Sequence, residues 1–131
     1  MIEQIVWKGK ALCYIVRATL GPERTTFLTP AEFNLQVGYI VYAKGHEIPR
    51  HLHLPIERRI VGTGEVLLVR KGQCEIDVYT DDRQLVATRQ LREGDIMIMV
   101  AGGHGFRMLE DTVLLEVKQG PYPGVEEKER F

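Results

Sequence analysis

Apolar residues in this chain recur mostly at every second position and in short runs. The clearest case is Cys74-Glu-Ile-Asp-Val-Tyr79, which puts Cys74, Ile76 and Val78 on one side and Glu75, Asp77 and Tyr79 on the other. A strand turns successive side chains to opposite faces, so this alternation predicts a strand with one buried face. Similar apolar runs at 11–18, 35–43, 66–69, 84–88, 96–100 and 113–117 predict further strands. They are separated by turn formers such as Lys71-Gly72, Asp81-Asp82, Glu93-Gly94-Asp95 and Leu109-Glu110-Asp111. The segment from Ile2 to Trp7 reads as an exposed edge strand. Many short strands joined by turns point to an all-β sandwich or barrel. The one helix signal is Thr29-Pro30-Ala31-Glu32-Phe33, a cap followed by proline at the first helical position, which predicts at most one turn near 30–34.

The chain has 131 residues, within the range of one domain and long enough for one continuous core, so residues 1–131 are read as a single domain. Seventeen basic residues against eighteen acidic ones leave a formal charge of −1 with no long block of either sign, which gives no footprint for nucleic acid. No apolar run reaches membrane-spanning length, and the N-terminus lacks a basic start, an apolar stretch and a cleavage site, so no membrane partner is expected. Cys13 and Cys74 lie in apolar runs as expected for buried free thiols, consistent with a cytoplasmic address. From Gly120 onward two prolines and the charged 126–130 stretch predict an irregular surface tail.

All four histidines fall in two glycine-bounded stretches, and three of them are candidate ligands. The first is Gly45-His-Glu-Ile-Pro-Arg-His51-Leu-His53. Two histidines separated by one residue on a strand point to the same face, so His51 and His53 can aim two imidazoles at one point. The second is Gly94-Asp-Ile-Met-Ile-Met-Val-Ala-Gly102-Gly103-His104, which brings a third histidine to a glycine-rich turn after an apolar strand. A carboxylate comes from Glu57, with three residues between it and His53 and followed by Gly64, or from Glu65, with six residues between it and Gly72. We take Glu65, because a strand, a turn at Gly72 and a returning strand come after it, whereas Arg58-Arg59 after Glu57 reads as a loop. His46 is read as an exposed turn residue. Tyr39, Tyr42, Arg50, Arg107, Glu116 and Lys118 are read either as rim residues of the site or as ordinary surface. Glu116 and Lys118 share a face and, if it is the interior, offer a proton carrier.

These two stretches together resemble the motifs of the cupin superfamily, with Val100 in the place of a proline and one residue missing before His104 in the second. The resemblance spans about Val37 to Val117. It implies a double-sheet, jelly-roll-like antiparallel β-barrel, frequent homodimers, and a divalent metal ion held by His51, His53, His104 and a glutamate, Glu65 or Glu57. Imidazole and carboxylate ligands suit iron, manganese, zinc, nickel or cobalt. The stretches around Gly102 to Phe106 and Glu116 to Tyr122 also look like small bacterial cupins found with surface-polysaccharide genes. The function this likeness implies is a metal-dependent isomerase, epimerase or oxygenase acting on a small polar metabolite such as a carbohydrate derivative. The alternatives are a non-catalytic module that binds a small molecule or metal, and a metal-free sugar-binding cupin.

Overall fold

Strands form where apolar and polar positions alternate, and the strand order decides which alternate set is buried. The computed structural model describes residues 2–124 and 127–131, and contains no helix among them. The chain divides into two compact units, Met1–Leu20 with Thr63–Phe131, and Gly21–Gly62.

The larger unit holds β1 (Ile2–Trp7), β2 (Lys10–Val16), β5 (Glu65–Lys71), β6 (Gln73–Tyr79), β7 (Leu85–Arg92), β8 (Ile96–Met99), β9 (Gly103–Met108) and β10 (Val113–Lys118). They form two antiparallel sheets, one ordered β1-β2-β8-β5-β10 and the other β7-β6-β9. From β7 onward successive strands alternate between the sheets, so the connections wrap the layers in a jelly-roll-like course. Ile5, Leu12, Cys13, Ile15, Leu67, Val69, Met97 and Met99 from the first sheet meet Cys74, Ile76, Val78 and Leu91 from the second in one core. The all-β, double-sheet antiparallel class predicted from the pattern is the class observed. In β6 the buried positions are Cys74, Ile76 and Val78, the alternate set expected. Cys13 and Cys74 are free and buried. Burial pushes the Cys13 thiol up to about 12, against a backbone hydrogen bond from Ile98 that lowers it, and raises that of Cys74 as well.

One flank of this unit is fastened by charge. Arg17, just after β2, donates from Nη1 to Asp95 Oδ2 at 2.9 Å and to the Gln90 carbonyl at 2.7 Å. Buried Asp95 also accepts from the amides of Ala18 and Arg92, and Arg89 of β7 pairs with Glu3 of β1. These contacts join the edge strands of the two sheets, β1 and β7, on one side.

The smaller unit holds β3 (Thr26–Phe27) and β4 (Gly38–Tyr39), an antiparallel pair. Buried Thr29 accepts from the Val37 amide at 3.1 Å, and the Gln36 side-chain amide donates to the carbonyls of Pro30 and Phe33. Phe33 N bonds to Pro30 O at 3.1 Å, the single turn predicted near 30–34. The strand expected over 35–43 shortens to Gly38–Tyr39, because only those residues find a ladder partner in β3. Residues 42–62 are exposed throughout and contain no regular strand.

Candidate functional site

Glu65 opens β5 on the same face as Leu67 and Val69, where a core-facing strand would ordinarily place an aliphatic side chain. A buried carboxylate is costly unless something satisfies it. His104 does so. It is the second residue of β9, opposite buried Val78 of β6, and therefore also faces inward, its Nε2 lying 3.0 Å from Glu65 Oε2. The pair links the two sheets, since β5 belongs to one and β9 to the other. The hydrogen bond from His104 holds the Glu65 carboxyl below the usual carboxylate range, while burial works upward. The charge of His104, then a side-chain hydrogen bond with Glu116, then the charge of Lys118, act in the same lowering direction.

Glu116 and Lys118 lie on β10 opposite Leu67 and Glu65, so they share the inward face rather than the outer one. Lys118 Nζ sits 3.1 Å from Glu127 Oε1, and that hydrogen bond is the first cause raising the amine above its ordinary value. Glu127 belongs to the tail read from sequence as surface, and it also accepts from Thr63 at 3.2 Å. A signal for its role existed in the charged 126–130 stretch, but nothing in the spacing connects it to Lys118. The ring of Phe106, two residues after His104 on the same face, meets the imidazole edge to face at 5.8 Å between centroids.

The sequence pattern predicts a glycine-rich turn at His104. The turn is made instead by Gly102, whose φ of 72° needs glycine and whose missing Cβ leaves room for the Tyr79 carbonyl. Gly103 already belongs to β9, and His104 gains a strand's fixed direction.

His51 and His53 lie in the smaller unit, in the exposed 42–62 segment. Their spacing predicts a strand. Among the described residues the segment makes no ladder, and Pro49 and Pro55 each remove an amide that a ladder would use. The two rings are nevertheless close, 5.3 Å between centroids and nearly perpendicular. His51 Nδ1 is 2.9 Å from the Pro49 carbonyl, which can only accept, so Nδ1 carries the proton and, in the neutral ring, Nε2 carries the lone pair. His46 follows a turn closed from its amide to the Ala43 carbonyl and stacks on Tyr42 at 4.1 Å, the exposed turn residue expected. Glu57 and Arg50 are exposed, and Tyr39 is half-buried in β4. Arg107 pairs with Glu75 on the outer face of the three-stranded sheet and is not a rim residue.

The candidate ligands thus fall into two pairs, Glu65 with His104 and His51 with His53. Among the described residues no group of three or more histidine, cysteine, aspartate or glutamate side chains is gathered as a metal-ion cage. A small cavity of about 160 Å³ lies elsewhere, where Phe131 and Glu129 of the tail meet Thr80, Arg83 and Gly103. It is smaller than typical ligand pockets of ~300 Å³ or more. No described helix is long and apolar enough to cross a membrane. Comparison with protein-family models, with curated proteins and with solved structures finds no match to this chain.

Proposed function

We propose that this chain is a cupin that holds one divalent metal ion with His51, His53, His104 and Glu65, and that it acts on a small polar metabolite such as a carbohydrate derivative. The observation that carries the reading is the Glu65–His104 pair, two good metal donors 3.0 Å apart on an inner face whose other polar groups on β10 are Glu116 and Lys118. The donor chemistry fits. His51, with Nδ1 engaged by a backbone carbonyl, presents Nε2 in the manner usual for metal-bound imidazole, whose other nitrogen is held by a carbonyl or carboxylate. Iron, manganese, zinc, nickel or cobalt suits such a set. Bound there, the ion would supply Lewis-acid polarisation or a place for dioxygen, the basis of isomerisation, epimerisation or oxygenation. Glu116, on the inward face beside Glu65, is the residue available to move a proton.

Lys118 favours a second reading, a non-catalytic binding module. Its amine is held protonated by Glu127, which leaves it a charged anchor for a ligand rather than a base. The buried, unpaired thiols support a cytoplasmic location.

The test is elemental mass spectrometry of untagged protein beside His51→Ala, His104→Ala, Glu57→Ala and Glu65→Ala. The expected result is near-stoichiometric metal, lost in both histidine variants and in Glu65→Ala. Loss in Glu57→Ala alone would transfer the carboxylate to Glu57. No metal in any sample, even after reconstitution, would overturn the reading and leave a metal-free barrel.

A further inference from the structure

Three anchors hold residues 127–131 against the larger unit. Glu127 reaches Lys118 of β10 and Thr63, two residues before β5 opens at Glu65. Glu129 pairs with Arg83 of the β6–β7 turn at 2.8 Å. Phe131 lies on Gly103 of β9, where a Cβ would stand 3.2 Å from its ring, and meets the Tyr79 ring edge to face at 5.1 Å between centroids. The Arg83 guanidinium also stands over the Phe131 ring, 5.2 Å from its centroid. The tail thus runs as a strap from β10 of one sheet to β6 and β9 of the other, the same two sheets that Glu65 and His104 join.

The far end of this strap is loosely made. The side chains of Arg83 and Glu129 are 49% and 83% exposed, and ion pairs so placed contribute little. A cavity of about 160 Å³ remains where Phe131 and Glu129 meet the larger unit, so the ring is not close-packed there. The end at Glu127 is built differently. Lys118 stands opposite Glu65 in the β5–β10 ladder, but Glu65 is engaged by His104, and the amine pairs with Glu127, Nζ to Oε1 at 3.1 Å. The other oxygen, Oε2, accepts from Thr63 Oγ1 at 3.2 Å. A cation for one oxygen and a hydroxyl for the other make a two-point grip on a planar carboxylate. Neither donor depends on the tail for its place, because the ladder runs on beyond both strands through the Gln119 amide to the Gly64 carbonyl at 3.1 Å.

We propose that Thr63 and Lys118 form a subsite for a carboxylate of the ligand, and that Glu127 fills it in the free protein as an internal competitor, displaced when a small carboxylic acid such as a sugar acid binds. The proposal rests on the function proposed above for the inner face beside Glu65 and His104, and it names the charged group that the polar metabolite carries. A carboxylate is favoured over a phosphate because Glu65 and Glu116 share that face with Lys118, and a second negative charge there meets like charge. Because Glu127 is tethered, it competes at the high effective concentration of an intramolecular group, and removing its charge must strengthen the ligand's hold.

The test uses the full chain, stripped of metal in excess chelator, with a trifluoromethyl label on the Phe131 ring whose ¹⁹F resonance distinguishes the seated tail from the released one. D-glucuronate is the probe, D-glucose its neutral counterpart and inorganic phosphate the second anion, with affinities read by calorimetry. Glucuronate, and not glucose, should move the label to its released position, and it should bind Glu127→Gln at least about tenfold more tightly than the wild type. Arg83→Gln, which loosens the strap away from the subsite, should tighten binding in the same direction, and Lys118→Met should abolish it. Equal affinity in the wild type and Glu127→Gln, binding that survives Lys118→Met, an equal response to glucose, a stronger one to phosphate, or no binding of glucuronate to Glu127→Gln would each overturn the subsite. Metal content measured before chelation separates the two readings: glucuronate binding with no metal in any sample fails only the metal reading, and bound metal without glucuronate binding fails only the subsite.

Discussion

Glu65 is 7% exposed and lies in line with Leu67 and Val69, so its charge depends on His104. The consequence can be measured on metal-stripped protein. A carboxyl whose folded value is lowered contributes stability that is fully present above the unfolded range, near ~4.3, and is lost as pH falls through the folded value. We expect the urea midpoint of the wild type to fall between about pH 5 and pH 3 by more than that of Glu65→Gln, the difference corresponding to roughly 1–2 kcal/mol for a charge-assisted hydrogen bond. Equal acid losses in the two proteins would show that His104 does not hold the carboxylate. Much of this residue-level picture is legible in the sequence. The hairpin after Glu65 identifies it as a strand residue on a buried face, and the parity of Glu116 and Lys118 puts them together. What spacing cannot convey is that Glu65 and His104, thirty-nine positions apart, meet across two different sheets. Nor can it place His51 and His53, because their alternation describes a strand only when an edge is there to receive it.

The β5–β6 hairpin shows how local chemistry becomes an element. Lys71-Gly72 reads as a turn from composition, and the structure adds the reason no other residue serves: φ is 88°, and a Cβ on Gly72 would run into the Asp111 carbonyl and stand 2.9 Å from Thr112 Cα. The neighbours are backbone of the β9–β10 connection, which cannot swing aside. Gly9, in the β1–β2 turn, has a similar φ of 78° with nothing within 4 Å. Gly9→Ala should therefore cost only the left-handed backbone penalty of about 1 kcal/mol, and Gly72→Ala at least about 2 kcal/mol more, read as a difference in denaturation midpoint at unchanged slope. Similar losses in both would mean that the β9–β10 connection yields. Where the alternation sits in a packed sheet, as at Cys74 to Val78, it predicts the element and its buried face. The 35–43 run misleads for the opposite reason: its apolar residues lie in the smaller unit, where β3 offers a partner to two residues only. Apolarity marks what seeks cover, but a ladder requires a second strand.

At the scale of the whole molecule, an exposed chain segment with strand alternation has two fates, to be covered or to be cut. Residues 44–59 contain Lys44, Arg50, Arg58 and Arg59, all exposed and all followed by residues other than proline, so each is open to trypsin when the backbone can enter a protease. The arginines of the larger unit differ in kind, since Arg17 and Arg89 are held by Glu3 and by hydrogen bonds within a sheet flank. If residues 48–57 are covered in the working protein, cleavage after Arg50 must wait for the segment to come free, and its rate then follows the small population of the open form. Cleavage after Lys44, outside that stretch, carries no such constraint and serves as the internal reference. The expected outcome is that Arg50 is cut at least about tenfold more slowly in the wild type than in Leu54→Glu, while Lys44 is cut equally in both, with sites assigned by peptide mass. Equal rates at Arg50 would mean that Leu54 covers nothing, and would leave the apolar face of the segment open in the working protein.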